Sequence, residues 1–225
     1  MKTREAMFEK ELVKAVGFDL DECIYPSDPE INNLIRNYIS SALLKKLSFA
    51  DLAEARAFFE KKYAELHSGS KVLVSVGYNI NEANNITDGA AAQDGIIKLI
   101  KKDPNTSRII RAISNQYEWT FLITSSPRNV ADSKLMKIGI NPLCFTYMIY
   151  GDDPGYGHKI DGTAFRQIIS KTGLAPDEHV YIGNSRKADI EPAKNAGMRT
   201  IGVWSEIPEA DLSIKHIHDL ERVLL

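Results

Sequence analysis

The sequence has few cysteines, little imbalance of charge and no long apolar segment. Its 225 residues include two cysteines, Cys23 and Cys144, which form neither a CxxC pair nor a disulfide framework. Lys and Arg total 28 against 30 Asp and Glu, so a broad basic surface for nucleic acid or an anionic membrane is not expected. No apolar run approaches the roughly 20 residues that span a bilayer, and residues 1–14 have no signal-peptide pattern. We expect a soluble, cytoplasmic protein; its oligomeric state, including a homo-oligomer, stays open.

Short apolar runs that stop at polar residues predict the strands of a sheet. Nearly continuous apolar segments are typical of parallel strands that are buried on both faces. Five segments fit this description, at residues 13–18, 119–123, 145–150, 180–182 and 200–203. Helical patterns between them lie at residues 126–138, 161–172 and 189–196, and each ends at a glycine. This alternation predicts a doubly wound, Rossmann-like α/β core with a parallel sheet.

The stretch between the first two strands is too long for one crossover connection. Apolar residues from Ile31 to Leu43 trace a helical stripe, and Leu52 to Tyr63 suggest a second helix. Residues 71–78 are ambiguous because their valines alternate as in a strand, and residues 79–95 have the composition of a loop. A helix at residues 103–114 leads back to the second strand. We therefore predict a mainly helical insertion at residues 25–100 within a core of residues 1–24 and 101–225.

Two carboxylates, Asp19 and Asp21, directly follow the first predicted strand. Ligands of open parallel sheets bind beyond the carboxyl ends of the strands. Two neighbouring carboxylates at such a position favour a cation or a shared proton, because uncompensated buried charge is costly. Mg²⁺ prefers oxygen ligands and is often held by one or two carboxylates together with a substrate phosphate. The pair therefore indicates phosphoryl chemistry, with a turn or helix cap as the simpler alternative.

Three further strand ends carry polar groups that suit the same chemistry. Thr124, Ser125 and Ser126 offer hydroxyls and backbone amides at a helix start, where anions bind. Lys159 follows the third strand. After the fourth strand, Asn184 and Asp189 offer oxygen ligands. Each signal alone has a common structural explanation, such as helix capping or a solvated lysine. Their agreement at consecutive strand ends favours a shared site.

These residues resemble the haloacid dehalogenase-like (HAD) hydrolase superfamily. The resemblance rests on Phe18-Asp19-Leu20-Asp21, then Thr124-Ser125, Lys159, and Gly183-Asn184-Ser185 with Asp189. The predicted insertion lies where that family places a helical cap. Two segments, Cys23-Ile24-Tyr25 after the carboxylates and Lys102-Asp103-Pro104 before a predicted helix, are similar to the sequences of the pyrimidine 5′-nucleotidase-like branch.

The resemblance implies a Mg²⁺-dependent phosphatase that acts through an aspartyl-phosphate. In it, Asp19 is the nucleophile, Asp21 the general acid and base, and Lys159 the group that offsets negative charge. Thr124, Ser125 and Lys159 hold the phosphoryl group. The implied metal ligands are the carboxylate of Asp19, the backbone carbonyl of Asp21, and the motif that contains Asn184 and Asp189.

Two departures keep other functions open. The family usually has Asp where this chain has Asn184, and often Asn where it has Ser125. The loss of one charge at position 184 weakens the expected metal site and admits a non-catalytic protein that binds a phosphorylated ligand. A phosphomutase or a dehalogenase of the same superfamily is a further alternative, although Asp21 favours phosphate esters. The expected substrate is a small phosphorylated metabolite, with a nucleoside monophosphate as one candidate.

Overall fold

Six parallel strands form one sheet in the part of the chain that the structure describes. The computed structural model describes residue 8 and residues 11–154 and 159–225. The spatial order of the strands is β3-β2-β1-β4-β5-β6. Their bounds are β1 Ala15–Phe18, β2 Trp119–Ile123, β3 Tyr147–Ile149, β4 His179–Gly183, β5 Arg199–Val203 and β6 Leu212–Ile214. The order reverses at β1, so β1 lies between β2 and β4 and its carboxyl end is a switch point.

The strand prediction holds for five of these elements, with shifted ends. The predicted third strand at 145–150 shortens to the three residues of β3, and the strand β6 was not predicted. The side chain of Ser213 in β6 accepts from the backbone N–H of Ile207 at 3.0 Å. A three-residue strand with a polar centre carries too little apolar pattern to be recognised from sequence.

The chain divides into two compact units, and the sheet belongs to the larger one, which contains residues up to Pro26 and Lys101–Leu225. Its helices are α6 Pro104–Gln116, α7 Arg128–Ile138, α8 Thr163–Thr172, α9 Glu191–Asn195 and α10 Leu220–Leu224. One face of the sheet packs against α8 and α9 through a buried cluster that includes Phe121, Phe165 and Tyr181. Gly17 in β1 allows this packing, because a Cβ there would lie 2.0 Å from the Phe121 ring.

Helix ends in the larger unit differ slightly from the prediction. Asp103 caps α6 by accepting from two backbone N–H groups of the first turn. The helix predicted at 126–138 begins two residues later, because Pro127 precedes the first helical residue of α7, and it ends at Gly139, which has a positive φ of 101°. The segment predicted as one helix at 189–196 is a π-helical turn, Arg186–Ile190, followed by α9. Pro192 is tolerated because it lies in the first turn of α9.

The smaller unit, Ser27–Ile100, is helical. Its helices are α1 Pro29–Leu47, α2 Leu52–Leu66, α3 Gly69–Ser75, α4 Ile80–Ala91 and α5 Asp94–Leu99. They share a core to which α1 contributes Ile39 and Leu43, α2 contributes Phe59, and α3 contributes Val72 and Leu73.

In the smaller unit, one segment was ambiguous from sequence and one expectation was wrong. The valine-rich segment 71–78 forms no strand, because Ser68 caps a helix in which Val72 and Leu73 are buried while Val74 faces outward. The segment 79–95 is largely helix rather than loop. Asn79 and Glu82 form a reciprocal capping box that starts α4. No described helix is both long enough and apolar enough to cross a membrane.

Candidate active site

The first carboxylate of the predicted pair, Asp19, lies at the carboxyl end of the central strand β1. Its backbone N–H donates to the carbonyl of Ile182 at 2.9 Å and continues the ladder between β1 and β4. Asp19 is 6% exposed. The carboxylate is thus fixed and nearly desolvated at the sheet edge where ligands of this architecture bind.

Lys159 joins two of the predicted carboxylates. Its ammonium lies 2.5 Å from Oδ1 of Asp19 and 2.7 Å from Oδ1 of Asp189, and it also donates to the hydroxyl of Tyr181 at 3.3 Å. Lys159 is 5% exposed and begins a short 3₁₀ turn. The structure thus brings together three residues that are distant in sequence. Three residues that precede it closely in sequence, Gly155, Gly157 and His158, lie outside the described residues.

Tyr181 of β4 accepts a hydrogen bond from Lys159. Its hydroxyl donates to the carbonyl of Ile123 at 3.2 Å, which leaves its oxygen free to accept from Lys159. Its ring packs edge-on against Phe165, with centroids 4.8 Å apart. Burial raises the pKa of Tyr181, so the phenol stays neutral. The hydroxyl therefore orients the lysine without adding charge.

Asp189 is held by the π-helical turn after β4. Its Oδ2 accepts from the backbone N–H of Ser185 at 2.9 Å, while its Oδ1 accepts from Lys159. Gly183 at the end of β4 makes room for it, because a Cβ there would lie 2.4 Å from the Cβ of Asp189. The half-buried Asn184 directly follows this glycine. The glycine therefore allows Asp189 to approach the end of the sheet.

Asp21 has different partners from Asp19. Its Oδ1 accepts from Lys134 at 2.6 Å and from the hydroxyl of Tyr25 at 2.5 Å. Its Oδ2 accepts from the hydroxyl of Ser126 at 2.8 Å. Both carboxylate oxygens are therefore engaged by donors, and the backbone carbonyl is what Asp21 can offer to a metal.

The two carboxylates have opposite pKa shifts. Burial raises the pKa of Asp19 to about 7; the charge of Lys159 opposes this effect, but the charges of Asp189 and Asp21 reinforce it. Burial acts in the same direction on Asp21, yet the charge of Lys134 and the hydrogen bonds to the carboxylate outweigh it, so the pKa of Asp21 is lowered. Negative charge is thus in excess around Asp19 and balanced around Asp21.

Two of the three predicted phosphate-binding residues, Thr124 and Ser125, lie in the loop that follows β2. Thr124 is buried, its backbone N–H donates to the carbonyl of Ile149 at 3.0 Å, and its hydroxyl accepts from the N–H of Ser126 at 3.1 Å. Ser125 is exposed. Gly151 packs against this loop so closely that a Cβ there would lie 2.1 Å from the carbonyl oxygen of Ser125. The loop is thus held in a fixed conformation at the same edge of the sheet as Asp19.

The residues after the carboxylates anchor the β1 loop. Cys23 is buried and its thiol donates to the carbonyl of Ile182 at 3.4 Å. Its own carbonyl accepts from the indole N–H of Trp204 at 3.0 Å. Burial raises the pKa of Cys23, so the thiol stays protonated and acts as a small packing group.

The donor set around Asp19 suits a hard divalent cation. Two buried carboxylates, Asp19 and Asp189, share the single charge of Lys159, which leaves one negative charge in excess. All available donors are oxygens, the ligand type that Mg²⁺ prefers. Within the described ranges, no three His, Cys, Asp or Glu side chains are grouped for a metal. The set of metal ligands predicted from the sequence is not such a group of three, because two of its members are the amide of Asn184 and the backbone carbonyl of Asp21.

No prediction for Lys134 came from the sequence, and Tyr25 was noted only as part of the motif after the two carboxylates. A signal for Lys134 was present, because it lies on the buried face of α7, among Val130, Leu135 and Ile138. A lysine inside an apolar stripe needs a buried partner. That partner, Asp21, lies 113 residues away in sequence, so it could not be identified without the fold.

Comparison with known proteins finds relatives and solved structures that are similar to this chain. Over 222 residues the chain is 24% identical to a protein of Methanocaldococcus jannaschii named glyceraldehyde 3-phosphate phosphatase, covering 95% of this chain and 96% of the relative. A haloacid dehalogenase-like family hydrolase from Streptococcus pneumoniae has a TM-score of 0.67 at 18% identity, covering 96% of this chain and all of that one. A HAD phosphatase from Thermococcus onnurineus has a TM-score of 0.65 at 22% identity, covering 94% and 98%.

The two solved structures share the fold of this chain. The profile of the haloacid dehalogenase-like hydrolase family matches residues 16–203, from the second residue of β1 to the end of β5, and this range contains the residues of the candidate site. The chain therefore belongs to the haloacid dehalogenase-like hydrolase family.

Proposed function

We propose that the protein is a phosphomonoester hydrolase that acts through an aspartyl-phosphate on Asp19. The observation that carries the proposal is the buried cluster in which Lys159 contacts both Asp19 and Asp189 at the carboxyl end of the sheet. A carboxylate in this position can attack phosphorus and divide one difficult displacement into two easier ones. Lys159 offsets negative charge on the nucleophile and on the incoming phosphoryl group.

The loop after β2 would bind the phosphoryl oxygens. The hydroxyl of Thr124 and the backbone N–H of Ser125 lie in a loop whose conformation is fixed by backbone hydrogen bonds. Preorganised donors of this kind stabilise charge that develops in the transition state without reorganising.

Asp21 would transfer the proton in both half-reactions. Because the pKa of Asp21 is lowered, the ionised carboxylate is the main form in the free protein, and the general acid is the minor protonated form, which donates to the leaving oxygen as Asp19 attacks phosphorus. The resulting carboxylate takes a proton from the water that hydrolyses the aspartyl-phosphate, which restores the acid. A dehalogenase has no need of the first transfer, because a halide leaves without a proton. Asp21 therefore favours phosphate esters over halogenated acids.

Mg²⁺ is the cofactor that fits this site. Asp19, the backbone carbonyl of Asp21, Asn184 and Asp189 are the groups that would hold it, and when bound it would neutralise charge on the phosphoryl oxygens. The excess negative charge around Asp19 supports this assignment. Because position 184 is an amide rather than a carboxylate, we expect weaker Mg²⁺ binding than in relatives with Asp there.

We propose a small phosphorylated metabolite as the substrate. The M. jannaschii relative is named for a three-carbon phosphate, and the similarity spans nearly the whole of both chains. The similarity of the β1 loop to pyrimidine 5′-nucleotidases keeps nucleoside monophosphates in the test set. The helical unit Ser27–Ile100 would act as the cap that selects the leaving group.

A panel of phosphomonoesters assayed with Mg²⁺ tests the proposal. The panel contains triose phosphates, nucleoside monophosphates and 4-nitrophenyl phosphate, and release of inorganic phosphate is the readout. We expect turnover that requires Mg²⁺ and is lost in Asp19→Asn. Binding of phosphate esters without turnover at millimolar Mg²⁺ would instead support a binding protein. Recovery of an isomerised sugar phosphate, or release of halide from a haloacid, would support the mutase or the dehalogenase.

A further inference from the structure

The buried face of α7 contains one charged residue. The residues of α7 that face inward are Val130, Ala131, Lys134, Leu135 and Ile138. Lys134 is 1% exposed. Burial of an ammonium in such a stripe is unfavourable unless a specific partner compensates for its lost hydration. An apolar side chain would fill the same volume without that cost, so the lysine calls for an explanation beyond packing.

The partners of Lys134 belong to two separate parts of the candidate active site. Its ammonium donates to Oδ1 of Asp21 at 2.6 Å and to the hydroxyl of Ser126 at 3.1 Å. Ser126 in turn donates to Oδ2 of Asp21 at 2.8 Å. The three groups form a closed hydrogen-bonded triangle. Asp21 is on the loop after β1 and Ser126 on the loop after β2, so Lys134 connects the two loops.

This triangle fixes the plane of the Asp21 carboxylate. Each oxygen has its own donor on a different element, α7 for Oδ1 and the β2 loop for Oδ2. The hydroxyl of Tyr25 adds a second donor to Oδ1 at 2.5 Å. A carboxylate that is held at both oxygens cannot rotate about its terminal torsion without breaking hydrogen bonds. Proton transfer depends on such orientation, because donor and acceptor must come within hydrogen-bond distance.

We infer that Lys134 is a positioning residue that orients Asp21 relative to the phosphate-binding loop, an assignment that rests on the proposed phosphatase function. It does not touch the phosphoryl group in this scheme and acts through Asp21. Lys134 thereby fixes the position of Asp21, which protonates the leaving oxygen, relative to the loop that binds the phosphoryl oxygens. Loss of Lys134 should therefore impair the protonation of the leaving group more than the binding of phosphate.

The dependence of the rate on the leaving group tests this inference. The value of kcat/KM reports on all steps up to departure of the leaving group. Nitrophenolate leaves readily without a proton, whereas phenolate and alkoxides need one. We expect Lys134→Met to lower kcat/KM for phenyl phosphate and glycerol 2-phosphate by about tenfold or more, and for 4-nitrophenyl phosphate by less than about threefold. Lys137→Met, an exposed lysine on the same helix, is the matched control and should change neither value.

The outcomes separate this inference from the proposed function. Equal losses for all three esters in Lys134→Met, or no loss, would overturn the positioning role while the phosphatase function stands. If the unaltered protein hydrolyses none of the esters with Mg²⁺, the proposed function fails and the inference fails with it. Should Lys134→Met not fold, as judged by its thermal transition, Ser126→Ala replaces it in the same comparison. That variant removes the hydroxyl shared by Lys134 and Asp21, and an unchanged ratio of kcat/KM values would overturn the inference.

Discussion

Two buried lysines serve two carboxylates that are two residues apart, and they create opposite environments. Lys159 faces both Asp19 and Asp189, and the pKa of Asp19 is raised to about 7 by burial and by the neighbouring carboxylates. Lys134 pairs with a single carboxylate, that of Asp21, and the pKa of Asp21 is lowered because this pairing and the hydrogen bonds to the carboxylate outweigh burial. Charge is therefore unbalanced at the first pair and balanced at the second.

This difference would allow one short motif to support the two roles proposed for Asp19 and Asp21. The excess negative charge of the Asp19 region suits a cation such as Mg²⁺, which would also offset the charge of an incoming phosphoryl group. The Asp21 region is complete without one, so its carboxylate can serve proton transfer without taking part as a metal ligand. The backbone after β1 places both groups at one edge of the sheet, and the partner lysines decide their chemistry.

The largest effect is expected from removal of the nucleophile. Asp19→Asn should lower kcat by about 10⁴-fold or more, because no carboxylate is left to attack phosphorus. The variant should remain folded, since Lys159 keeps Asp189 as a partner. Steady-state phosphate release and the thermal transition measure the two effects. Turnover near that of the unaltered protein would remove Asp19 from the mechanism.

Replacing the first lysine should affect both activity and stability. Lys159→Met leaves Asp19 and Asp189 buried without their shared cation, and loss of one member of a buried ion pair costs about 3–5 kcal/mol. We expect kcat to fall by about 10²–10³-fold. Chemical denaturation together with steady-state kinetics gives both quantities. An unchanged unfolding free energy would argue against the charge imbalance described above.

Restoring a carboxylate at position 184 would sharpen the comparison. Asn184→Asp adds a carboxylate at a position that we propose as a metal ligand, so the variant should bind Mg²⁺ about tenfold more tightly. Calorimetric titration of Mg²⁺ into the protein measures this directly. Asn184→Ala, which removes the amide without adding charge, is the comparison and should bind Mg²⁺ no more tightly than the unaltered protein. Equal affinities in Asn184→Asp and in the unaltered protein would place residue 184 outside the metal site.

The raised pKa of Asp19 predicts how Mg²⁺ stabilisation depends on pH. With a pKa of 3.8 unfolded and about 7 folded, Asp19 contributes stability that is present below pH 3.8 and is lost as the pH rises through 7. Mg²⁺ binds the ionised form, so it offsets this loss. The increase in Tm on adding Mg²⁺ should be several degrees larger at about pH 8 than at about pH 5.5. A larger increase at the lower pH would contradict this electrostatic account.

The smallest effect on kcat is expected from a change at Tyr181, which accepts a hydrogen bond from Lys159. Tyr181→Phe keeps the ring against Phe165 but removes the hydroxyl to which Lys159 donates. Because Asp19 and Asp189 still hold the lysine, kcat should fall by only about threefold to tenfold. Tyr147→Phe, in the edge strand β3, is the matched control and should leave kcat unchanged. A loss as large as that of Lys159→Met would mean that the phenol itself has a chemical role.

The sequence predicted those parts of the fold and site that local patterns encode. The abrupt change from Phe18 to Asp19 marks the end of β1, and Gly183 followed by Asn184 marks the end of β4. Strand order places these ends side by side, so the cluster of Asp19, Lys159 and Asp189 could be anticipated.

Features that depend on tertiary partners were not predicted. The valines of α3 favour a strand by composition, but Ser68 caps a helix whose inward residues find a core among neighbouring helices. Lys134 could be recognised as unusual on its helix, while its partner Asp21 follows only from the packing of α7. Long-range pairing of charges is set by the fold and leaves no fixed spacing in sequence.

Chemical trapping of the intermediate tests the central claim most directly. The protein is mixed with an ester that it hydrolyses, and the reaction is quenched rapidly. Borohydride reduces an aspartyl-phosphate to homoserine, and peptide mass spectrometry locates the modified residue. We predict homoserine at position 19 in the unaltered protein, and none in Asp19→Asn. Homoserine at another position, or a substrate-dependent burst of product with residue 19 unmodified, would contradict the assignment of Asp19 as the nucleophile.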